Sequence, residues 1–439
     1  MYRAVSAAKG VFRWLLFSAL LVFLLPGVSR AAEMELAERA YLCAWVSLAS
    51  YDDRIGELAR QELAAAGYVM EPLDEKKGKS HCYLMRRDMP GGAPFWLLSV
   101  RGTEDKKDVR TDVDFRKVPF AGETPEQFAA MAVRTKMTSK EPLVHRGFNS
   151  FCLQSFFTAK DDEQSLGEWL AQALKADPEA RLCLTGHSLG GAVSVLMAAR
   201  LMAMGVPAEQ LAVVTFGAPA VGNAAFAEAY GAMPLERIVM AGDPMRGALQ
   251  LLNAGYTQFG KEISYHQPRG HDRFPHEMAA YLDAALRLYY DAGGDLPREG
   301  EEVDAPKVYL AADFVFPEVL AQDAEYCQLA ANDFMRRQVP DLCIGEAGGT
   351  MEEISRRAQD AGCTHILRQR YEAIRDRNAR RRLLITLTEG VYDSNGKLLG
   401  GQHLLTSTRF MTPLLAALYD AAVGTEQRMK ALGVGEQEE

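Results

Sequence analysis

Two rhythms of apolar residues alternate along the first part of the chain. Residues 95–100, Phe-Trp-Leu-Leu-Ser-Val, form a short continuous apolar run. Such a run fits a strand covered on both faces. Residues 182–184 and 211–216 repeat that character, and 235–240 repeat it more weakly. Residues 35–51, 165–175, 192–204 and 223–230 carry the wider spacing of helices, with 35–51 reading as amphipathic. Strands alternating with helices predict an α/β domain: a mostly parallel sheet with helices on both faces.

The rhythm breaks at residues 293–306 (GGDLPREGEEVDAP), whose glycine, proline and acidic residues read as a linker. Beyond it, 307–316 reads as a strand, and 351–361 and 369–380 as helices. Residues 383–391 and 398–408 read as two strands, joined by the hairpin signal Asp393-Ser394-Asn395-Gly396. Thr412 then reads as an N-cap, with Pro413 at the first helical position. The expected organisation is a catalytic domain over 32–292, the linker, a smaller α+β domain over 307–425, and a polar tail over 426–439.

The amino terminus has its own pattern. Arg3, Lys9 and Arg13 precede an apolar run over 14–25, which Pro26 and Gly27 break. Ser29-Arg30-Ala31 then offers small residues for a cut after Ala31. Residues 1–31 therefore read as a secretory signal, with export to a periplasm or out of the cell; an uncleaved anchor is the alternative. Seven cysteines remain an odd number for pairing. Cys327 and Cys343 are the candidate bridge, and Cys183 reads as a buried small apolar residue. Composition adds little: 48% hydrophobic and 24% charged residues are ordinary for a globular protein. A net charge of −9 with no long basic run argues against a nucleic-acid partner. No metal-ligand spacing occurs, and no cofactor is expected.

The chemistry centres on Gly186-His187-Ser188-Leu189-Gly190-Gly191. A predicted strand precedes this Gly-x-Ser-x-Gly and a helix rich in small residues follows it, the context in which such a bend presents a nucleophilic serine. The alternative is a glycine-rich turn in which Ser188 merely caps the helix. A serine hydroxyl needs a base, and the base needs a carboxylate to hold its tautomer. The histidines after Ser188 are His266, His271, His276, His365 and His403.

Further blocks surround this one. Arg101-Gly102-Thr103 follows an apolar strand. Val144-His145-Arg146-Gly147-Phe148 comes next, then the serine bend, then Val214-Thr215-Phe216-Gly217-Ala218-Pro219 with Val221-Gly222-Asn223. Arg237-Ile238-Val239-Met240-Ala241-Gly242-Asp243-Pro244 closes the series. In this order, over roughly residues 35–285, the chain resembles the class 3 (fungal-type) lipases of the α/β-hydrolase superfamily.

The resemblance implies Ser188 as nucleophile, Asp243 as triad acid, and Thr103 with the Leu189 N–H as oxyanion hole. It implies His276 as base, with His271 and His266 as alternatives. His145 would be structural and Asn223 a helix-start residue. The implied activity is that of an exported serine carboxylester hydrolase acting on acyl esters or lipids through an acyl-enzyme. The alternatives are a phospholipase A1 or lysophospholipase with membrane-surface contact, and a secreted adaptor on a hydrolase scaffold. The segment after Thr103, where the family places an apolar lid, is here Glu-Asp-Lys-Lys-Asp-Val-Arg-Thr-Asp-Val-Asp-Phe. So charged a segment would adsorb poorly to an oil surface. Val118, Phe120, Phe128, Met131, Val133 and Met137 could supply an apolar wall instead, although an amphipathic surface loop and helix is the preferred reading. The C-terminal domain is a candidate for binding a partner, a cell-envelope component or a substrate surface.

Overall fold

A computed structural model describes residues 30–51, 53–73, 82–87, 92–102, 116–157, 164–247, 255–268, 273–294, 306–376 and 382–434. The expected signal before residue 30, the charged segment from Thr103 to Phe115 and most of the expected linker lie outside these residues.

The chain divides into two compact units. One comprises Met1–Ser50 with Val69–Tyr265, the other Tyr51–Tyr68 with His266–Glu439. Helices α1 (Arg30–Ala49) and α2 (Arg54–Ala65) therefore fall in different units. The first unit continues with strands β1 (Val69–Leu73), β2 (Cys82–Arg87), β3 (Phe95–Val100) and β4 (Lys117–Pro119). Helix α3 (Pro125–Ala132), β5 (Leu143–His145), α4 (Arg146–Phe156) and α5 (Leu166–Ala176) follow. Next come β6 (Arg181–His187), α6 (Leu189–Ala203), β7 (Leu211–Phe216), α7 (Ala224–Ala229), β8 (Leu235–Met240) and β9 (Lys261–Tyr265).

Seven of these strands form one sheet in the order β1-β2-β3-β6-β7-β8-β9. Strands β3 to β9 in that order run parallel, and β1 and β2 extend the edge antiparallel. The fold is thus the mostly parallel α/β sheet expected. Strand β6 shows why its residues are apolar on both sides. Leu182 and Leu184 join the core with Ala192, Val193 and Leu196 of α6. Cys183 and Thr185 face the other way, onto Cys43 and Ser47 of α1. From Cys43 to Ala49, α1 is buried on every side, so its expected amphipathic character gives way to an interior helix. The expected apolar wall divides too: Val118, Phe120 and Phe128 are core residues, whereas Val133 is 78% exposed.

In the second unit, α8 (Met278–Asp291) precedes β10 (Lys307–Val315), α9 (Ala321–Gln338), β11 (Asp341–Ile344) and α10 (Met351–Asp360). Strands β12 (His365–Arg375), β13 (Leu383–Asp393) and β14 (Leu398–Ser407) follow, then α11 (Pro413–Val423) and α12 (Thr425–Ala431). The strands pair in the order β11-β10-β12-β13-β14. Thr412 caps α11 by accepting from the Leu415 N–H at 3.3 Å, with Pro413 at its first turn.

Three differences from the sequence reading have physical causes. Residues 369–380 were expected to be helical, but Gln369 to Arg375 belong to β12. Their burial has period two, with Gln369, Tyr371 and Ala373 buried and Arg370 and Ile374 exposed. Pairing with β10 on one side and β13 on the other overrides the helical preference of Arg, Gln and Glu. The expected bridge from Cys327 to Cys343 does not form, and all seven cysteines are free. Cys343 packs against the core cluster that holds Tyr309 and Ile354, whereas Cys327 is buried on α9. Part of the expected polar tail is α12, whose Arg428 is buried and donates to Glu389 at 2.9 Å.

Candidate active site

Parallel strands bring their carboxyl ends to one edge, and β6 ends there in the bend at Ser188. Ser188 has φ 56° and ψ −122°, and it is the one non-glycine residue with positive φ among the described residues. Its backbone N–H donates to Phe216 O at 2.9 Å, and its carbonyl accepts from the Ala192 N–H at 3.1 Å. It stands at the N-cap of α6, yet its side chain makes no capping hydrogen bond. A serine held in a strained backbone without doing the capping that serines do there is not an ordinary helix start.

The glycines around it follow from crowding. A Cβ on Gly190 would lie 2.1 Å from Val100 O at the end of β3, and one on Gly186 would lie 2.5 Å from Gly190 C. On Gly191 it would lie 2.7 Å from Gly186 O. The bend therefore sits hard against its neighbours. Leu189 begins α6, so its N–H belongs to the helix's first, unladdered donors. Thr103, the other expected oxyanion donor, lies outside the described residues.

Asp243 reaches the same edge of the same sheet. It follows β8, two strands from β6, after a turn in which Gly242 takes φ 83°. Neighbouring strands lie about 4.8 Å apart, so the strand ends carrying Ser188 and Asp243 are on the order of 10 Å apart. Asp243 is 5% exposed, and its Oδ1 accepts from the Met245 N–H at 2.8 Å. It thus serves as the start of an Asp-Pro turn, and the same bond fixes the carboxylate.

His276 belongs to the second unit. The Glu277 N–H donates to Phe274 O at 2.9 Å and closes a turn with Pro275 and His276 at its centre. Proline presets the backbone angle that the second turn position requires. Helix α8 begins immediately afterwards and is buried for most of its length. His276 itself is half-buried, in ring contact with Phe274. His266 is exposed, and His271 lies outside the described residues. His365 and His403 lie on strands of the five-stranded sheet, where they meet Thr364 and Thr388.

The remaining singled-out residues have structural work. His145 is fully buried, accepts from the Phe148 N–H through Nδ1 at 3.2 Å and stacks on the Phe148 ring. Asn223 caps α7 through the Phe226 N–H at 3.0 Å. Its side chain also ties Leu143 N and Glu141 O. At the end of β14, the Thr406 hydroxyl donates to Asp420 and the Thr408 hydroxyl accepts from Leu383 N. Sequence reasoning missed Arg273 and Glu277, which ion-pair across the His276 turn. Their i,i+4 spacing around Pro275-His276 was the available signal.

Residues 97–246 match the family model described as Lipase (class 3). The serine bend and the Asp243 turn both fall within the matched residues, and His276 lies beyond them. Among curated proteins, phospholipase A1-II 4 of Oryza sativa subsp. japonica is 25% identical over 234 residues, covering 48% of this chain and 57% of its own length. Lipase ZK262.3 of Caenorhabditis elegans is 38% identical over 92 residues, 20% of this chain and 24% of that protein. The chain spans about half the length of the rice relatives it matches. Among solved structures, lipase II from Rhizopus niveus aligns with TM-score 0.40 and 22% identity, over 52% of this chain and 80% of that one.

Proposed function

We propose that this protein is an exported serine carboxylester hydrolase that cleaves acyl esters of lipids. The observation that carries the proposal is the Ser188 backbone, held at φ 56° by glycine-only contacts at the carboxyl end of β6. In this reading His276 takes the Ser188 proton as Oγ attacks the ester carbonyl. Asp243 holds the imidazole and stabilises the imidazolium. The Leu189 N–H and Thr103 stabilise the oxyanion, each donor contributing about 3–4 kcal/mol. The protonated His276 then gives its proton to the departing alcohol. Water, activated by the same imidazole, hydrolyses the acyl-enzyme and restores Ser188. Support for export is the basic start, the apolar run and Ser29-Arg30-Ala31.

Turnover of a soluble chromogenic ester tests this reading. Ser188→Ala and, separately, His276→Ala should lower the rate by about 10⁴ to 10⁶-fold. Wild type and Ser188→Ala equally inactive on esters of several chain lengths would favour an adaptor. A normal rate in His276→Ala would move the base to another histidine.

A second reading, a phospholipase A1 acting at a membrane surface, is favoured by the names of the rice relatives. Product analysis on mixed phospholipid and triacylglycerol vesicles separates the two. Lysophospholipid plus free fatty acid would support the second reading, and partial glycerides the first.

A further inference from the structure

The turn carrying His276 is fastened by one guanidinium. Arg273 Nη2 pairs with the Glu277 carboxylate, bracketing the turn from both ends. Arg273 Nη1 donates to Thr408 O at 3.1 Å and to Met411 O at 2.9 Å. The Arg273 carbonyl accepts from Gln267 Nε2 at 3.1 Å. Thr408 follows β14 and Met411 precedes α11, so these bonds tie the turn to the connection between the last strand and its helix.

That connection is itself rigid. The Thr408 N–H donates to Leu383 O at 2.9 Å, and the Leu383 N–H donates to Thr408 Oγ1 at the same distance. Met411 is buried, and Thr412 caps α11. The chain between residues 407 and 413 is thus held at both ends by the small C-terminal sheet and its helix. Only arginine presents several donors in one plane, enough to serve a carboxylate and two carbonyls at once. A lysine would supply the charge without the fork.

We infer that Arg273 is a positioning residue for the base, and that the C-terminal sheet serves the reaction by holding the His276 turn. This rests on the reading of His276 as base. A misplacement of about 1 Å can lower a rate by about 100-fold. The lost interaction acts on orientation rather than on substrate binding, so kcat should fall while KM stays nearly constant.

The test is steady-state ester hydrolysis by the full chain carrying Arg273→Gln or Arg273→Lys, each alone and combined with His276→Ala. Arg273→Gln is expected to lower kcat by about 10 to 100-fold with KM changed by less than about threefold. Arg273→Lys should recover part of the loss. In the His276→Ala background, Arg273→Gln should lower the residual rate no further, because there is no base left to misplace. An unchanged kcat, a change confined to KM, or an equal loss in both backgrounds would overturn the inference. Should Arg273→Gln fail to fold by circular dichroism, Glu277→Gln removes the ion pair and leaves the carbonyl bonds. It should give a smaller kcat loss that also vanishes without His276, and a loss that persists there would overturn the inference as well. A wild-type rate in His276→Ala alone would instead indict the assignment of the base.

Discussion

In the proposed mechanism, Ser188 trades stability for presentation. A non-glycine residue at φ 56° and ψ −122° carries about 1–3 kcal/mol of backbone strain. Ser188→Gly should therefore raise the unfolding free energy by about 1 kcal/mol while abolishing ester turnover; Ser188→Ala should abolish turnover without that gain. Urea unfolding of both variants checks this, and equal stabilities would contradict it. Arg200, on the helix that follows, is fully buried, with its guanidinium 3.6 Å from the Phe120 ring centroid and 4.1 Å from that of Phe128. It donates to Asn149 Oδ1 at 2.9 Å, and burial lowers its pKa to about 10. Two desolvated cation–π contacts and a large packed stem make it a support of α6. Arg200→Ala should destabilise the protein by about 3–5 kcal/mol, and a loss below about 1 kcal/mol in urea unfolding would contradict that role.

Among the elements, α11 carries a titrating group, Asp420, against Thr406 of the sheet. The Asp420 carboxylate is buried, accepts from Thr406 Oγ1 at 2.6 Å and makes no hydrogen bond through Oδ2 among the described residues. Burial pushes its pKa up to about 7 against the pull of the Thr406 bond. The unfolded chain releases this proton near pH of about 3.9. Below that value the group's contribution to stability is complete, and it is lost as the pH rises through about 7. Asp420→Asn should match wild type in thermal midpoint at pH 4 and exceed it at pH 8; a pH slope unchanged from wild type would contradict this. Element type was most legible where two signals agreed. Strands β3, β6 and β7 and helix α5 were read from their apolar pattern, and the structure closes the start of α5 with a Ser165-x-x-Glu168 capping box. Helix α9 was missed although Tyr326, Cys327, Ala330, Ala331 and Phe334 recur at helical spacing and are buried. Its exposed face is strongly polar, which diluted the apolar signal. Strand β12 was misread because its polar residues favour a helix in isolation, and only its neighbours reveal the period of two.

At the scale of the molecule, the serine bend and the acid turn lie in one compact unit and His276 in the other. The motifs made the strand-end bend at Ser188 and the turn at Asp243 legible, because each is written in one short run of sequence. The i,i+4 spacing of Arg273 and Glu277 was visible, but the tie from Arg273 to Thr408 and Met411 was not, because those carbonyl partners are far along the chain and backbone oxygens leave no mark in a sequence. Family likeness covers residues 97–246 and stops before the His276 turn. The most direct measurement of the central claim is peptide mapping by mass spectrometry after treatment with a fluorophosphonate, which phosphonylates an activated serine. The account predicts one adduct, on Ser188, that Ser188→Ala abolishes and His276→Ala slows by orders of magnitude. An adduct on a different serine, or none in a sample that still hydrolyses esters, would contradict it.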